Sequence, residues 1–113
     1  MKTFIIVRTQ FTALHNYPDC PIDSVYYLKY PHRHIFYVKL KVEVRNSVDR
    51  DIEFIDFKNK VDKFISTTFD GKDLKDTSCE KMCVIMIEKF QNISLIEISE
   101  DNENGIEALN DEK

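Results

Sequence analysis

Three histidines are the residues of this chain whose type and spacing could do chemistry. His15 ends one alternating apolar segment, and His32 and His34 open the next segment as His-x-His. Residues two apart on a strand share a face and lie about 6.5 to 7 Å apart. Catalytic zinc is held by three protein ligands with a fourth position left open, and three neutral imidazoles are a documented set. We therefore predict a zinc site, against the ordinary alternative that each ring only satisfies a local hydrogen bond.

The three cysteines, Cys20, Cys79 and Cys83, are an odd number without a Cys-x-x-Cys spacing. A disulfide framework is therefore a poor interpretation, and reduced thiols are expected. Cys79 and Cys83 lie one helical turn apart on an apolar stripe, which is typical of core residues. Cys20 follows His15 by five residues, and three roles stay open for it: a nucleophile, a fourth zinc ligand or an inert loop residue.

Composition limits the class of protein. A hydrophobic share of 42% in 113 residues is enough for one core, so we predict one domain over 1–109 and a frayed acidic tail over 110–113. The net charge of −4 argues against a nucleic-acid partner. The first apolar run is interrupted by Arg8 and Gln10 and lacks a small-residue cleavage site. We therefore expect neither a signal peptide nor a membrane span. The expected location is the cytoplasm.

Two segments alternate with the period of a β-strand. From residue 3 to 15 the apolar side chains and His15 fall on one face, and from His32 to Arg45 the alternation is nearly unbroken. Residues 16–31 hold all three prolines and are predicted to form a long loop. The stretch Tyr26-Tyr27-Leu28 would give that loop something to bury.

Two helices and two further strands follow. Asp56 is the expected N-cap of the first helix, whose apolar positions are Phe57, Val61, Phe64, Ile65 and Thr68. Thr77-Ser78-Cys79-Glu80 forms a capping-box pattern at the start of the second helix, whose apolar stripe is Cys79, Met82, Cys83, Met86, Ile87 and Phe90. Strands are predicted over about Ile93–Glu100 and Ile106–Leu109. The order ββααββ indicates the α+β class, a four-stranded antiparallel sheet with two helices on one face.

The residues along this order resemble the 6-pyruvoyl tetrahydropterin synthase and 6-carboxytetrahydropterin synthase family over roughly residues 3–107. Phe11-Thr12-Ala13-Leu14-His15 is similar to the F-x-A-x-H of that family, and His32-Arg33-His34 is similar to its H-G-H. Weaker matches are Ile55-Asp56-Phe57, Thr77-Ser78-Cys79-Glu80, and Glu100 with Gly105. The resemblance implies the tunnelling fold (T-fold), zinc bound by the three histidines, and homo-oligomeric rings with sites at subunit interfaces.

Glu100 falls on the glutamate that anchors the pterin ring in that family. A carboxylate can accept two parallel hydrogen bonds from the amino and ring N–H groups of a pterin or guanine edge. Ser78 stands where the family has a threonine, and the resemblance implies that it contacts the same ligand. Asp101 replaces the threonine that follows the glutamate.

The family's catalytic cysteine and Asp-His pair are not matched. The segment before His32 has no thiol, and residues 69–73 between the helices have no histidine. Candidates for a base or nucleophile are therefore Cys20, Glu80 and Tyr30, although Glu80 is also explained as a capping-box residue. Arg33 replaces the middle glycine of H-G-H.

Lys29 and Arg33 flank the start of the second strand and are candidates for phosphate contacts, as in a triphosphate substrate. The other cations on the outer face of that strand, Lys39, Lys41 and Arg45, are explained by a solvated or subunit-facing surface.

The resemblance implies a zinc-binding protein that acts on or binds a pterin or a related purine-type nucleotide. If it is an enzyme, it is a zinc-dependent lyase or synthase of the pterin or deazapurine pathway. The alternative is a catalytically silent T-fold protein, of viral or mobile-element origin, that sequesters a nucleotide-like ligand. A third hypothesis, a purely structural ring former, predicts no metal at all.

Overall fold

Four strands and two α-helices form the chain in the computed structural model, which describes residues 1–111. In chain order they are β1 (Thr3–His15), β2 (His32–Val44), α1 (Phe54–Thr68), α2 (Cys79–Lys89), β3 (Ile93–Glu100) and β4 (Asn104–Leu109). The predicted ββααββ order and the α+β class are confirmed. Within the described residues, no helix is both long and apolar enough to cross a membrane.

The sheet is antiparallel throughout, with the strand order β1-β2-β3-β4. In the β1–β2 register His15 pairs with His32, and Ala13 pairs with His34. In the β2–β3 register Phe36 pairs with Glu100. Because side chains alternate between the two faces of a strand, these registers bring the candidate site residues to one end and one face of the sheet.

The core lies between the sheet and the two helices. Phe36 is completely buried and stacks on Phe11 with ring centroids 5.0 Å apart. Other fully buried side chains come from β2, both helices and β3: Leu40, Val61, Met82, Met86, Ile96 and Ile98. Phe36 also packs edge-on against His15 at 5.2 Å, so the apolar core supports the site directly.

Both helix starts differ from the sequence-based expectation. The side chain of Glu53, not Asp56, caps α1 by accepting hydrogen bonds from the N–H groups of Ile55 and Asp56. The capping box at α2 is also wrong, because Ser78 is the N-cap and accepts from the N–H of Lys81 at 3.1 Å. Several acidic and hydroxyl residues can cap a helix, and the surrounding chain decides which of them faces the free N–H groups.

The long loop after β1 contains a 3-10 helical segment, Asp23–Lys29. Tyr26 and Tyr27 are each 58% exposed, so the expectation that they are buried is wrong. Only Leu28 of that stretch is partly buried. Cys20 is the buried residue of the loop, with 4% of its surface exposed.

The segment between the helices closes the end of β1. Gly71 donates its N–H to Thr12 O at 2.7 Å, and Leu14 exchanges backbone hydrogen bonds with Lys72 and Leu74 at 3.0 and 2.7 Å. Gly71 has a φ of +71°, a left-handed conformation that glycine adopts without strain. These contacts fix the end of β1 that carries His15. They run along the outer edge of β1, the edge that does not pair with β2.

A tight turn joins β3 to β4, with positive φ at Asp101 and Asn102. Gly105 approaches β3 so closely that a Cβ there would lie 2.3 Å from Ile98 O, which only glycine permits. Of the tail expected over 110–113, Asn110 donates to backbone carbonyls of the β3 region at 3.0 and 3.3 Å. Glu112 and Lys113 lie outside the described residues.

Candidate metal centre

The three histidines lie together at the end of the β1–β2 hairpin. His15 is buried, with 8% of its surface exposed, and His32 and His34 are partly buried. Their ring centroids are 4.6 to 5.5 Å apart, and the ring planes meet edge to face at angles of 67° to 86°. The strand alternation that predicted one common face is thus confirmed.

Backbone carbonyls orient two of the rings. His15 Nδ1 donates to Thr77 O at 3.1 Å, and His32 Nδ1 donates to Tyr30 O at 2.9 Å. A neutral imidazole carries one proton, so a ring that donates from Nδ1 has its lone pair on Nε2. Both rings therefore present the nitrogen that a metal ion needs.

The third ring is oriented by a carboxylate. His34 Nδ1 donates to Asp101 Oδ2 at 2.6 Å, while Asp101 Oδ1 accepts from the N–H of Ile35 at 3.1 Å. Hydrogen bonding to His34 is the main reason that the pKa of Asp101 lies below its ordinary value. The neutral His34 ring therefore also carries its lone pair on Nε2.

Glu100 completes the cluster from β3. Its Oε2 lies 2.9 Å from His15 Nε2, and its Oε1 lies 3.6 Å from His34 Nε2. Both of these nitrogens are buried and have no hydrogen-bond partner while the rings are neutral, because a lone pair that faces a carboxylate is not a hydrogen bond. A buried polar atom without a partner is costly, so the cluster requires a proton or a cation between these atoms.

A proton on His15 is one solution. Burial lowers the pKa of His15, but hydrogen bonds to Glu100 and to the Thr77 carbonyl outweigh it, so that the pKa lies above its ordinary value. The same hydrogen bond is the main cause that lowers the pKa of Glu100. In this state His15 is an imidazolium paired with a carboxylate.

A divalent cation is the other solution, and the residues fit it. One ligand atom from each of His15, His32, His34 and Glu100 lies within 4.8 Å of the others. Imidazole nitrogen with carboxylate oxygen is a donor set typical of zinc. Each histidine also has its other ring nitrogen held by an oxygen acceptor, the outer-shell arrangement found around metal-bound histidines.

A cleft of about 430 Å³ opens beside the cluster. It includes His15, His32 and Glu100, and continues to the start of α2 and to Gly105 on β4. Aromatic, aliphatic and polar residues contribute to the rest of the lining, among them Tyr17, Leu28, Ser78, Glu80 and Lys81. The volume lies within the range of small-molecule sites, so a ligand of the size of a heterocycle fits next to the histidines.

The predicted site residues do not all reach this cleft. Ser78 and Glu80 line it, whereas Lys29, Arg33 and Tyr30 are exposed and not among its lining residues. The structure therefore does not bring the side chains of Lys29, Arg33 or Tyr30 into the cleft of the same chain, although the backbone carbonyl of Tyr30 accepts from His32 Nδ1.

Cys20 lies apart from the cluster. Its Sγ points to the carbonyls of Ile22 and Val25 in its own loop, at 3.9 and 3.7 Å. Of the described cysteines, Cys79 lines the cleft. Burial raises the pKa of Cys79 to about 12, so this thiol stays protonated at neutral pH and is a poor nucleophile.

Asp101, Lys81 and Thr77 belong to the site but were not predicted as site residues. Asp101 carried a signal, since it stands directly after Glu100 in place of the threonine of the resembling family. Lys81 lies in the first turn of α2, next to the predicted Glu80, and lines the cleft. The Thr77 contact is made by a backbone carbonyl, for which the residue type gives no signal.

Comparison with known proteins identifies the fold. No family model and no curated protein matches the sequence. Among solved structures, the chain is similar to 6-pyruvoyl tetrahydropterin synthase of Caenorhabditis elegans, with a TM-score of 0.77, 16% identity and 96% of each chain covered. It is also similar to an uncharacterized protein of Wolinella succinogenes, with a TM-score of 0.81, 11% identity, and 98% of this chain and 99% of that chain covered. The predicted T-fold is thereby confirmed.

Proposed function

We propose that this chain is a zinc-binding protein similar to 6-pyruvoyl and 6-carboxytetrahydropterin synthases, which holds a pterin or related purine-type nucleotide beside the metal. The observation that carries the proposal is the pair of buried Nε2 atoms, on His15 and His34, that have no hydrogen-bond partner while the rings are neutral. One ligand atom from each of these two residues, His32 and Glu100 lies within 4.8 Å of the others. The cleft next to this cluster supplies the room for the ligand.

His15, His32 and His34 would hold the ion through their Nε2 atoms. When bound, zinc supplies a Lewis acid that polarises a hydroxyl or keto oxygen of the ligand. The described part of the chain offers three imidazoles and one carboxylate, so the fourth donor position is either taken by Glu100 or open to the ligand.

Glu100 is the residue proposed to recognise the heterocycle. Its carboxylate can accept two parallel hydrogen bonds from a pterin or guanine edge, and it lines the cleft. Tyr17 and Leu28 offer apolar surface for the faces of the ring. Ser78 and Lys81, at the start of α2, offer donors for a polar side chain of the ligand.

If the protein is an enzyme, Glu80 is the candidate for the base that moves protons on the ligand, because it lines the cleft. A carboxylate acts in this way when it reaches the proton within hydrogen-bond distance. Cys20, which faces carbonyls of its own loop, and the exposed Tyr30 are weaker candidates. The reaction would be of the lyase or synthase type in the pterin or deazapurine pathway.

A specific observation favours the second candidate function, a catalytically silent protein that sequesters a nucleotide-like ligand. The cysteine that lines the cleft, Cys79, has its pKa raised to about 12. The described residues of the cleft therefore provide no activated thiol. All three thiols are free, which fits the cytoplasmic location proposed here.

We also propose that the chain forms a homo-oligomer. The sheet face opposite the helices leaves Ile6, Leu14 and Ile35 exposed, by 43%, 37% and 38%. Such apolar side chains on one sheet face fit burial against another copy. Light scattering after gel filtration tests this: a mass of several times 13.4 kDa supports it, and a monomer contradicts it.

The decisive experiment is elemental analysis of the purified protein together with mass spectrometry of the small molecules released on denaturation. About one zinc per chain and a co-purifying pterin or purine nucleotide support the proposal. Absence of zinc after reconstitution contradicts it. Incubation with a dihydropterin triphosphate then separates the two functions, since the enzyme converts it and the silent protein returns it unchanged.

A further inference from the structure

Asp101 contacts the metal centre without belonging to its ligand set. Its Oδ2 accepts from His34 Nδ1 at 2.6 Å. Its Oδ1 accepts from the N–H of Ile35 at 3.1 Å, and its own N–H donates to Ile35 O at 2.7 Å. One residue thus links the end of β3 to the strand that carries His34.

Two backbone features fix the position of the Asp101 carboxylate: the conformation of Asp101 itself and the N–H of Ile35. Its φ of +55° is a left-handed conformation that Asp and Asn adopt more readily than other non-glycine residues. Because Ile35 occupies Oδ1, Oδ2 is directed at the His34 ring. The position is therefore defined by the turn between β3 and β4 and not only by a flexible side chain.

His34 differs in this respect from the other two rings. His15 and His32 donate to neutral backbone carbonyls, whereas His34 donates to a carboxylate. A carboxylate partner fixes the tautomer and increases the electron density on the ligating nitrogen. His34 is thus the ring whose ligand strength depends on a side chain that can be changed by mutation.

We infer that Asp101 is a positioning residue of the metal centre, which holds His34 with Nε2 toward the cluster and makes it a stronger zinc ligand. The inference rests on the proposed zinc site. Outer-shell partners of this kind typically change metal affinity by about 10- to 100-fold. Asp101 is neither one of the residues that line the cleft nor one of the four that offer a ligand atom, so its effect passes through His34.

The test compares zinc dissociation constants, measured by competition with a chromophoric chelator. Asp101→Asn keeps the turn, and its side-chain oxygen can still accept from the N–H of Ile35. Its amide NH₂ group then faces His34 Nδ1. This favours the tautomer with the proton on Nε2, the nitrogen that would bind zinc. We expect it to weaken zinc binding by about 10- to 100-fold. Glu103→Gln removes one negative charge from the same exposed turn and is the matched control, with an expected change below about 2-fold. Asp101→Gly, which tolerates the positive φ, is the second variant if Asp101→Asn does not fold.

A second readout is the tautomer of His34 in the zinc-loaded protein, from long-range nitrogen–proton correlation spectra. The native protein should show Nδ1 protonated and Nε2 bound. Native affinity in Asp101→Asn, or an equal loss in Glu103→Gln, would overturn the positioning role while leaving the zinc site intact. A native chain with no zinc affinity would overturn the proposed site itself and this inference with it.

Discussion

His32→Ala tests the zinc site because His32 contributes little else to the fold. Its ring is partly exposed, and its Nδ1 contact is to Tyr30, two residues away in the chain. Loss of that contact costs about 1 kcal/mol or less. The substitution should therefore leave the metal-free fold nearly unchanged while it removes one of three imidazole ligands.

The magnitude follows from ligand linkage. Zinc at 100 times its dissociation constant stabilises the native protein by about 2.7 kcal/mol, which for a domain of this size raises Tm by roughly 10 °C. Loss of a direct ligand should weaken binding by at least the roughly 100-fold seen for outer-shell partners. At the same zinc concentration the stabilisation of His32→Ala then falls to about 0.4 kcal/mol, a rise in Tm of about 2 °C or less.

Thermal unfolding with zinc and with a chelator, followed by circular dichroism, measures both effects. Arg33→Ala is the matched control, because Arg33 is exposed on the opposite face of the same strand. It should keep the full response of the native protein to zinc. If His32→Ala shows the same zinc-dependent rise in Tm as the native chain, the assignment of the histidines as ligands is refuted.

Three further predictions concern other parts of the molecule. Glu100→Gln should retain most zinc, but lose pterin binding by about 10-fold or more, as measured by calorimetry; a matching loss of zinc would instead identify the carboxylate as a metal ligand. Gly105→Ala should destabilise the fold by about 2 kcal/mol or more in urea titration, since the new Cβ would meet the β3 backbone. The three thiols should be unreactive toward a disulfide reagent at pH 8 in the native state, because Cys20, Cys79 and Cys83 are all buried. Cys79 and Cys83 also have pKa values raised to about 12. One rapidly reacting thiol would contradict this prediction.

The strands and the histidine face could be predicted because alternation is a local property. Every second residue from His32 onward is apolar or histidine, and β2 ends at Val44, one residue before the predicted end. The helix caps could not be predicted in the same way. Glu53 and Asp56 are both acceptable caps, and only the path of the preceding chain decides between them.

Contacts between distant parts of the chain account for the rest of the site. Glu100 was assigned through a family resemblance, and its approach to His15 follows from the β2–β3 register. The contact between Asp101 and His34 joins residues 67 positions apart. Neither the residue types nor their periodicity specify such a pairing, because it depends on which residue of β3 stands opposite Phe36.

The β1–β2 register divides the candidate metal centre into a local and a non-local part. All three imidazoles belong to one hairpin, in which His15 stands opposite His32, whereas the carboxylate of Glu100 arrives from β3 after both helices. Local opening of a protein proceeds through such structural units. An excursion that detaches β3 therefore withdraws Glu100 together with the Asp101 contact to His34, but leaves the three imidazoles on one hairpin. Such an opening would remove the carboxylate proposed to hold the heterocycle and would weaken the imidazole site without dismantling it.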